Sequence, residues 1–494
     1  MRLTFEFTVY KIYNKIITHM VKGECTMQQN DNTSFFHMVW RIALPVALQS
    51  MLQASFGIVD QIMIGRLGGI SIAGVGLAAK FASLYSVIIA AVGTAAGIMA
   101  AQYIGQESGA KLHRSLFINL WLAVGIAFLF TLLCILFPGN IMGLYTQEAD
   151  TAMRDTAASY LSVYALSFMP AAVITLVAVL FRCMEKASLP LYVGLASAFL
   201  NTVLNYVLIF GRFGFPLLGV KGAAIASVIS QTAGCLLIIL MFMKWKRDLV
   251  IWNESKTNTL IRVKRRTEIN IAKEKRADMR MWWKQYMGIL VPILVCEFFW
   301  SLGENVYAGI YGHLGTDACA AMTMTNPVQG LAIGALCGLS QAAGIIIGKM
   351  LGCGEYEEAY NASKKLIVYG IVGSVILSLL VFLTRPYYVL LYKAEEEIRS
   401  LTKQILIAYA LIVPLKVSNM ILGGGIIRSG GKTGYIMGID LIGTWLFGVP
   451  LGLFAAFYLE LPIPWVYFML SLEEGVRFLI SLVVFCRKRW MRSF

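Results

Sequence analysis

The sequence predicts an all-α integral membrane protein: twelve transmembrane helices in two six-helix lobes, related by a pseudo-two-fold axis along the membrane normal. Three observations carry this reading. Twelve long apolar stretches run through the chain, a polar, basic segment at 244–284 separates the sixth from the seventh, and landmarks of the first six recur in the last six. Of the 494 residues 58% are hydrophobic and only 14% charged, with a mean hydropathy of +0.71. A soluble domain carries about 25% charged residues, so a large soluble enzyme is excluded.

The spans fall at 36–63, 73–103, 115–137, 158–181, 190–211, 221–243, 285–310, 319–346, 362–384, 402–427, 433–457 and 462–485. Most reach the roughly 20 residues that a helix needs to cross the hydrocarbon core. Barrel strands would alternate in segments of about ten, and these runs do not. The first span carries Pro45 and ends in Ile64-Gly65-Arg66-Leu67-Gly68, the second ends in Tyr103-Ile104-Gly105-Gln106, and Arg182 follows the fourth. The seventh carries Pro292 and ends in Tyr311-Gly312-His313-Leu314-Gly315, the eighth ends in Ile346-Ile347-Gly348-Lys349, and Arg428 follows the tenth. These landmarks repeat at offsets of 243 to 247 residues. Six spans per unit give both units the same membrane orientation, the parallel repeat expected of alternating-access transporters. The expected domains are a tail at 1–34, an N-lobe at 35–243, the basic linker at 244–284, a C-lobe at 285–485 and a tail at 486–494.

The net charge of +15 raises nucleic acid as a partner, but its distribution points to a membrane. Thirteen Lys/Arg against five Asp/Glu lie between Lys244 and Lys284, and Arg487-Lys488-Arg489 follows the last span. Turns on the same side carry Lys111 and Arg114, Arg182 and Lys186, Lys364 and Lys365, and Arg428 and Lys432; an opposite turn carries Glu148, Asp150 and Asp155. The positive-inside bias places both termini and the linker in the cytoplasm, with no nucleic-acid partner. No cleavable signal peptide is expected in the first 34 residues, and Met27 offers an alternative start. The nine cysteines are scattered, with Cys134, Cys235, Cys296 and Cys337 in mid-membrane, and read as small apolar residues rather than disulfides or a metal site. His19, His37, His113 and His313 form no metal-ligand spacing. Gly431-Lys432-Thr433 is a fragment of a phosphate-binding loop, but that motif needs glycine at 426, where this chain has Ile426. No other nucleotide motif is visible, so the expectation is a secondary transporter without cofactor rather than an enzyme or a primary pump.

Ionisable residues inside spans mark function by default. Asp60, late in the first span, can hold a proton or sodium and, once emptied, attract a cation. Gln49 and Gln53 upstream of it, and Asn201 and Asn205 one turn apart in the fifth span, offer oxygen ligands or bridge helices. In the second half Glu297 and Glu304 lie in the seventh span, Lys416 in the tenth and Asp440 in the eleventh. Four such groups in hydrocarbon must pair or line water. The favoured arrangement pairs Lys416 with Asp440 and leaves Glu297 to a substrate cavity with Glu304, Trp300 and Tyr307, whose aromatic rings can stack on a flat cation. Phe298 and Phe299 flank the same acids.

The same stretches resemble the multidrug and toxic compound extrusion (MATE) family, and more narrowly its bacterial branch related to the DNA-damage-inducible DinF proteins. They are Pro45 through Val59-Asp60-Gln61-Ile62-Met63-Ile64-Gly65-Arg66-Leu67-Gly68, Asn205-Tyr206-Val207-Leu208-Ile209-Phe210-Gly211, Leu218-Gly219-Val220-Lys221-Gly222-Ala223-Ala224, Trp300-Ser301-Leu302-Gly303 and Ile427-Arg428-Ser429-Gly430-Gly431-Lys432-Thr433. The resemblance implies export of amphipathic, often cationic compounds against inward H+ or Na+, and it gives Asp60 the place of the family's first-span coupling carboxylate. The seventh-span glutamate and tenth-span aspartate of the sodium-coupled branch do not line up here: the glutamate position falls near Trp300, and the tenth span has Lys416 and Asn419 but no acid. The remaining expectations are a monomer in the inner membrane in contact with its lipids. The alternative is a flippase for lipid-linked oligosaccharides from the wider superfamily, which would present a larger, more cationic cavity.

Overall fold

A computed structural model describes residues 32–67, 69–143, 151–254, 271–390 and 395–493. The expected N-terminal tail, including Met27, lies almost wholly outside these residues, as does 255–270 of the linker. The helices are α1 (Asn32–Gly65), α2 (Gly69–Gly105), α3 (Gly109–Leu136), α4 (Thr151–Cys183), α5 (Ser188–Phe210) and α6 (Gly219–Glu254), then α7 (Ile271–His313), α8 (Thr316–Cys353), α9 (Tyr356–Val389), α10 (Glu396–Ile427), α11 (Thr433–Tyr458) and α12 (463–486). A short helix, Pro138–Gly143, follows α3. There is no strand among the described residues.

Among the described residues eleven helices contain a stretch long and apolar enough to cross a membrane. The twelfth, α12, joins Ile463–Ser471 to Glu473–Cys486 through Leu472, whose torsions (φ −63°, ψ −19°) remain helical. Helices suit these sequences because lipid offers backbone N–H and C=O groups no partner, so each segment must satisfy its own. Prolines 45, 292, 327, 386 and 414 lie inside α1, α7, α8, α9 and α10, where neighbouring helices compensate for the missing donor. Large apolar side chains such as Phe199, Leu240, Ile376 and Leu479 are exposed. On a soluble monomer such a surface would be a liability; here it faces hydrocarbon.

The chain forms two compact units. The first comprises Leu48–Ala100 and Glu107 through α6; the second comprises 32–47, Ala101–Gln106 and α7 through α12. Within the first, α3 packs on α4, and α6 packs on both α4 and α5; within the second, α9 packs on α10, and α12 on both α10 and α11, so the pairing repeats as the duplicated sequence requires. Glycines set the closest approaches: Gly222 lies against the Leu208 carbonyl and Gly234 against Ser197 in the first unit, and Gly105 against the Lys349 carbonyl and Gly352 against the Gln102 carbonyl in the second. At each of these a Cβ would collide.

Two features were not expected from sequence. Residues Met420–Ile427 of α10 and Ile442–Gly448 and Phe454–Tyr458 of α11 wind as wider π turns, a geometry that recurs at functional sites. The C-terminal tail also folds back onto the helices: Trp490 is fully buried, stacks on Phe485 at 5.9 Å and lays its carbonyl over Gly430. The Gln102 amide donates to the Ser429 carbonyl at 2.7 Å and to the Arg492 carbonyl at 3.0 Å. The cysteines are free thiols at positions 134, 183, 235, 296, 319, 337 and 486. Cys353 corrects the expectation of no disulfides, since it is disulfide-bonded.

Candidate functional site

The first unit gathers polar groups around Asp60. Its half-buried carboxylate accepts a hydrogen bond from Asn205 Nδ2 at 2.8 Å. With the Asn201 amide turned so that its nitrogen faces Asp60, it donates to both carboxylate oxygens at 3.1 Å while its oxygen accepts from the Ser227 N–H at 3.3 Å. Buried Tyr160 hydrogen-bonds Ser227, and both Tyr160 and Tyr164 lie close enough to feel the Asp60 charge. Helices α1, α4, α5 and α6 thus contribute one carboxylate, two amides and hydroxyls to one polar nest. Asn205 is 2% exposed, and its Oδ1 has no hydrogen-bond partner. A buried acceptor without a partner beside a carboxylate is an oxygen set that suits one more donor or a hard cation, which takes oxygen ligands.

The amides at 201 and 205 therefore meet Asp60 as the sequence suggested. Gln53 does not: it is exposed and makes no hydrogen bond to Asp60. The glutamine of α1 that is engaged is Gln49, which accepts from Arg182 Nη2 at 3.0 Å.

The second unit builds a longer chain of charges across α7, α10, α11 and α12. Its centre is Arg477, 3.2 Å from Glu473, 3.8 Å from Glu474 and 3.8 Å from Asp440, and it also donates to Thr444. The Tyr307 hydroxyl donates to Glu473 at 2.5 Å, and Asn419 Nδ2 to Glu474 at 2.9 Å. The Cys296 thiol donates to Asp440 at 2.7 Å, and Arg428 Nη1 sits 3.6 Å from Glu297. Burial of Arg477 among three acids fits the rule that charges in an apolar medium are paired or absent.

Three expectations change here. Asp440 pairs with Arg477 of α12, not with Lys416, because α12 brings its cation against α11; Lys416 lies within electrostatic reach of Glu473. Tyr307 is buried and committed to Glu473 rather than offered to a cavity. Glu297, expected to stand free, is held by Arg428. Trp300 and Glu304 are exposed on α7. The sequence reading missed Glu473, Glu474 and Arg477, although three charges in one apolar span were a visible signal.

No cluster of three or more His, Cys, Asp or Glu suited to a metal occurs among the described residues. The MatE family model matches residues 45–207 and 292–454, two stretches of equal length that begin on the paired prolines. A probable multidrug resistance protein NorM of Thermotoga maritima is 22% identical over 458 residues, covering 91% of this chain and 92% of that one. Multidrug resistance protein MdtK of Yersinia pseudotuberculosis is 23% identical over 425 residues, covering 83% and 85%. A solved structure described as the outward-facing conformation of a multidrug resistance MATE family transporter of the MOP superfamily superposes with a TM-score of 0.75 at 17% identity, over 92% of this chain and 96% of that one. The resemblance read from the residues and the duplicated helices agree with these matches: the chain belongs to the MatE family of membrane transporters.

Proposed function

We propose that this chain is a secondary active antiporter that exports amphipathic, cationic compounds in exchange for inward H+ or Na+, working as a monomer in the cell membrane. The observation that supports the proposal is the Asp60 nest, a carboxylate inside a span that accepts from Asn205 and lies beside the unpartnered Asn205 Oδ1. Emptied, the nest is anionic and attracts a cation; filled, it is neutral and lets the cation go. The names of the relatives, multidrug resistance proteins, agree in cargo class. Acids outnumber bases in the second unit's network, with Glu297, Asp440, Glu473 and Glu474 against Arg428, Arg477 and Lys416, which suits a cationic cargo better than the anionic one of a flippase. Both termini and the basic linker lie on the cytoplasmic side by the charge rule.

Reconstituted vesicles given a proton gradient and a sodium gradient separately, and scored for movement of a cationic dye, identify the coupling ion. Asp60→Asn keeps the size and removes the titratable charge, so gradient-driven transport is expected to fall at least about tenfold while the protein still reaches the membrane. Full transport with unchanged pH dependence in a well-expressed D60N variant overturns the assignment.

A further inference from the structure

A cavity of about 810 Å³ opens between the linker-side end of α7 and the start of α11, within the roughly 300–1,000 Å³ range of small-molecule sites. Lys284, Lys432 and Arg492 line it, and no carboxylate does. Other cations of this unit are neutralised, among them Lys488 by Glu357 at 2.9 Å and Arg428 by Glu297. Lys284, Lys432 and Arg492 have no ion pair among the described residues. Lys432 has only the Tyr435 ring, 5.8 Å from its ammonium, as a partner, and three cations without a carboxylate around one cavity repel each other unless an anion sits among them.

The walls are fixed before anything binds. Thr433 Oγ1 donates to the Ile289 carbonyl at 2.9 Å and ties α11 to α7. Buried Trp490 and the Gln102 bond to the Arg492 carbonyl hold the tail that carries Arg492. A Cβ at Gly288 or Gly434 would meet open space, so the backbone there is reachable from the cavity. The flank is apolar: Met281 is 65% exposed and Tyr435 38%. The cavity therefore offers cations to a headgroup and an apolar side to acyl chains, at the edge of a membrane-spanning helix.

We infer that this basic cavity binds the phosphate of an anionic phospholipid headgroup. The turn Gly430-Gly431-Lys432-Thr433, useless as a nucleotide loop, serves here to set Lys432 at the rim. Anionic lipid held there by juxtamembrane bases follows the general attraction of such bases to acidic leaflets, and it rests on the membrane-spanning fold, not on the cargo or coupling ion proposed above.

The test is a native mass-spectrometry titration of the full chain in detergent, with phosphatidylglycerol, phosphatidylcholine and inorganic phosphate as probes. Phosphatidylglycerol is expected to bind at least about tenfold more tightly than phosphatidylcholine, and the triple variant K284Q/K432Q/R492Q to lose that preference. Removing three exposed lysines elsewhere in the chain, K80Q/K186Q/K221Q, is expected to leave the preference intact; an equal loss overturns the site in favour of general surface charge. Displacement of the lipid by millimolar inorganic phosphate overturns the lipid source and leaves a soluble phosphate compound. A photoactivatable phosphatidylglycerol cross-linked to the unmodified protein keeps the test open if the triple variant fails to fold. Label on 281–289 and 431–435 supports the site, and label spread evenly over the helices refutes it.

Discussion

Arg477 carries the heaviest electrostatic duty in the second unit, and its replacement gives the sharpest test of how the charges are wired. Arg477→Met keeps the aliphatic stem and removes a guanidinium that lies 3.2 to 3.8 Å from three carboxylates. At an effective dielectric of about 20, each contact is worth roughly 4–5 kcal/mol before desolvation, and desolvation consumes most of it. What the substitution exposes is the cost of stranding charge: Glu473 and Glu474 side chains are each 9% exposed, and removing one partner of a buried pair costs about 3–5 kcal/mol. Asp440→Asn leaves Arg477 two acids and keeps a hydrogen-bonding side chain, so about 1–3 kcal/mol is expected. Lys416→Met removes a charge that acts on Glu473 without forming an ion pair with it, for about 1 kcal/mol or less. SDS unfolding of purified variants gives these differences, and double-mutant cycles separate the pairs. Arg477 with Asp440 should couple by about 1–3 kcal/mol, and Lys416 with Asp440 by less than about 0.5 kcal/mol. A larger coupling for Lys416 with Asp440 than for Arg477 with Asp440 would falsify the wiring described here.

Two further predictions concern packing and topology. Gly105→Ala drives a methyl group into the Lys349 backbone, whereas Gly288→Ala meets open space. The first is expected to lose about 1–3 kcal/mol and much of its folded yield on size-exclusion chromatography, the second almost none; equal yields refute the close crossing. In a cysteine-free background, exposed Lys186→Cys should resist a membrane-impermeant maleimide in intact cells and Gly214→Cys should react. The reverse pattern inverts the topology.

The helices were legible because lipid leaves a chain few choices: a run of apolar residues about 20 long has to be a helix. The duplicated landmarks were legible too, and Pro45 and Pro292 turned out to open the two matched stretches. In the Asp60 nest, the i,i+4 spacing of Asn201 and Asn205 puts both amides on one face of α5, so a single contact with α1 brings both to the carboxylate. Gln53 shares the side of α1 that carries Asp60 but lies two turns, about 10 Å of rise, before it, and its own side chain is exposed. In the second unit, the sequence supplied the charges but not the adjacency of the helices. Lys416 was the obvious mate for Asp440 only while the charges of α12 went unweighed, and no periodicity within one helix reports which neighbour it faces. The folded-back tail was illegible because its anchor, one tryptophan over one glycine, carries no pattern at all.

The wide turns of α10 and α11 bear on how lengths are compared between relatives. A π turn holds one more residue than the α turn it replaces, so 420–427 and 442–448 are places where a membrane span gains or loses a residue without unwinding its flanks. An alignment that forbids gaps inside spans slides every later position by one, about 100° around the helix axis, and turns an inward-facing acid toward lipid on paper. Chains of this family are better registered by the residues on either side of the wide turns, here Lys416 and Arg428 on α10 and its exit and Asp440 and Val449 on α11, than by counting through them.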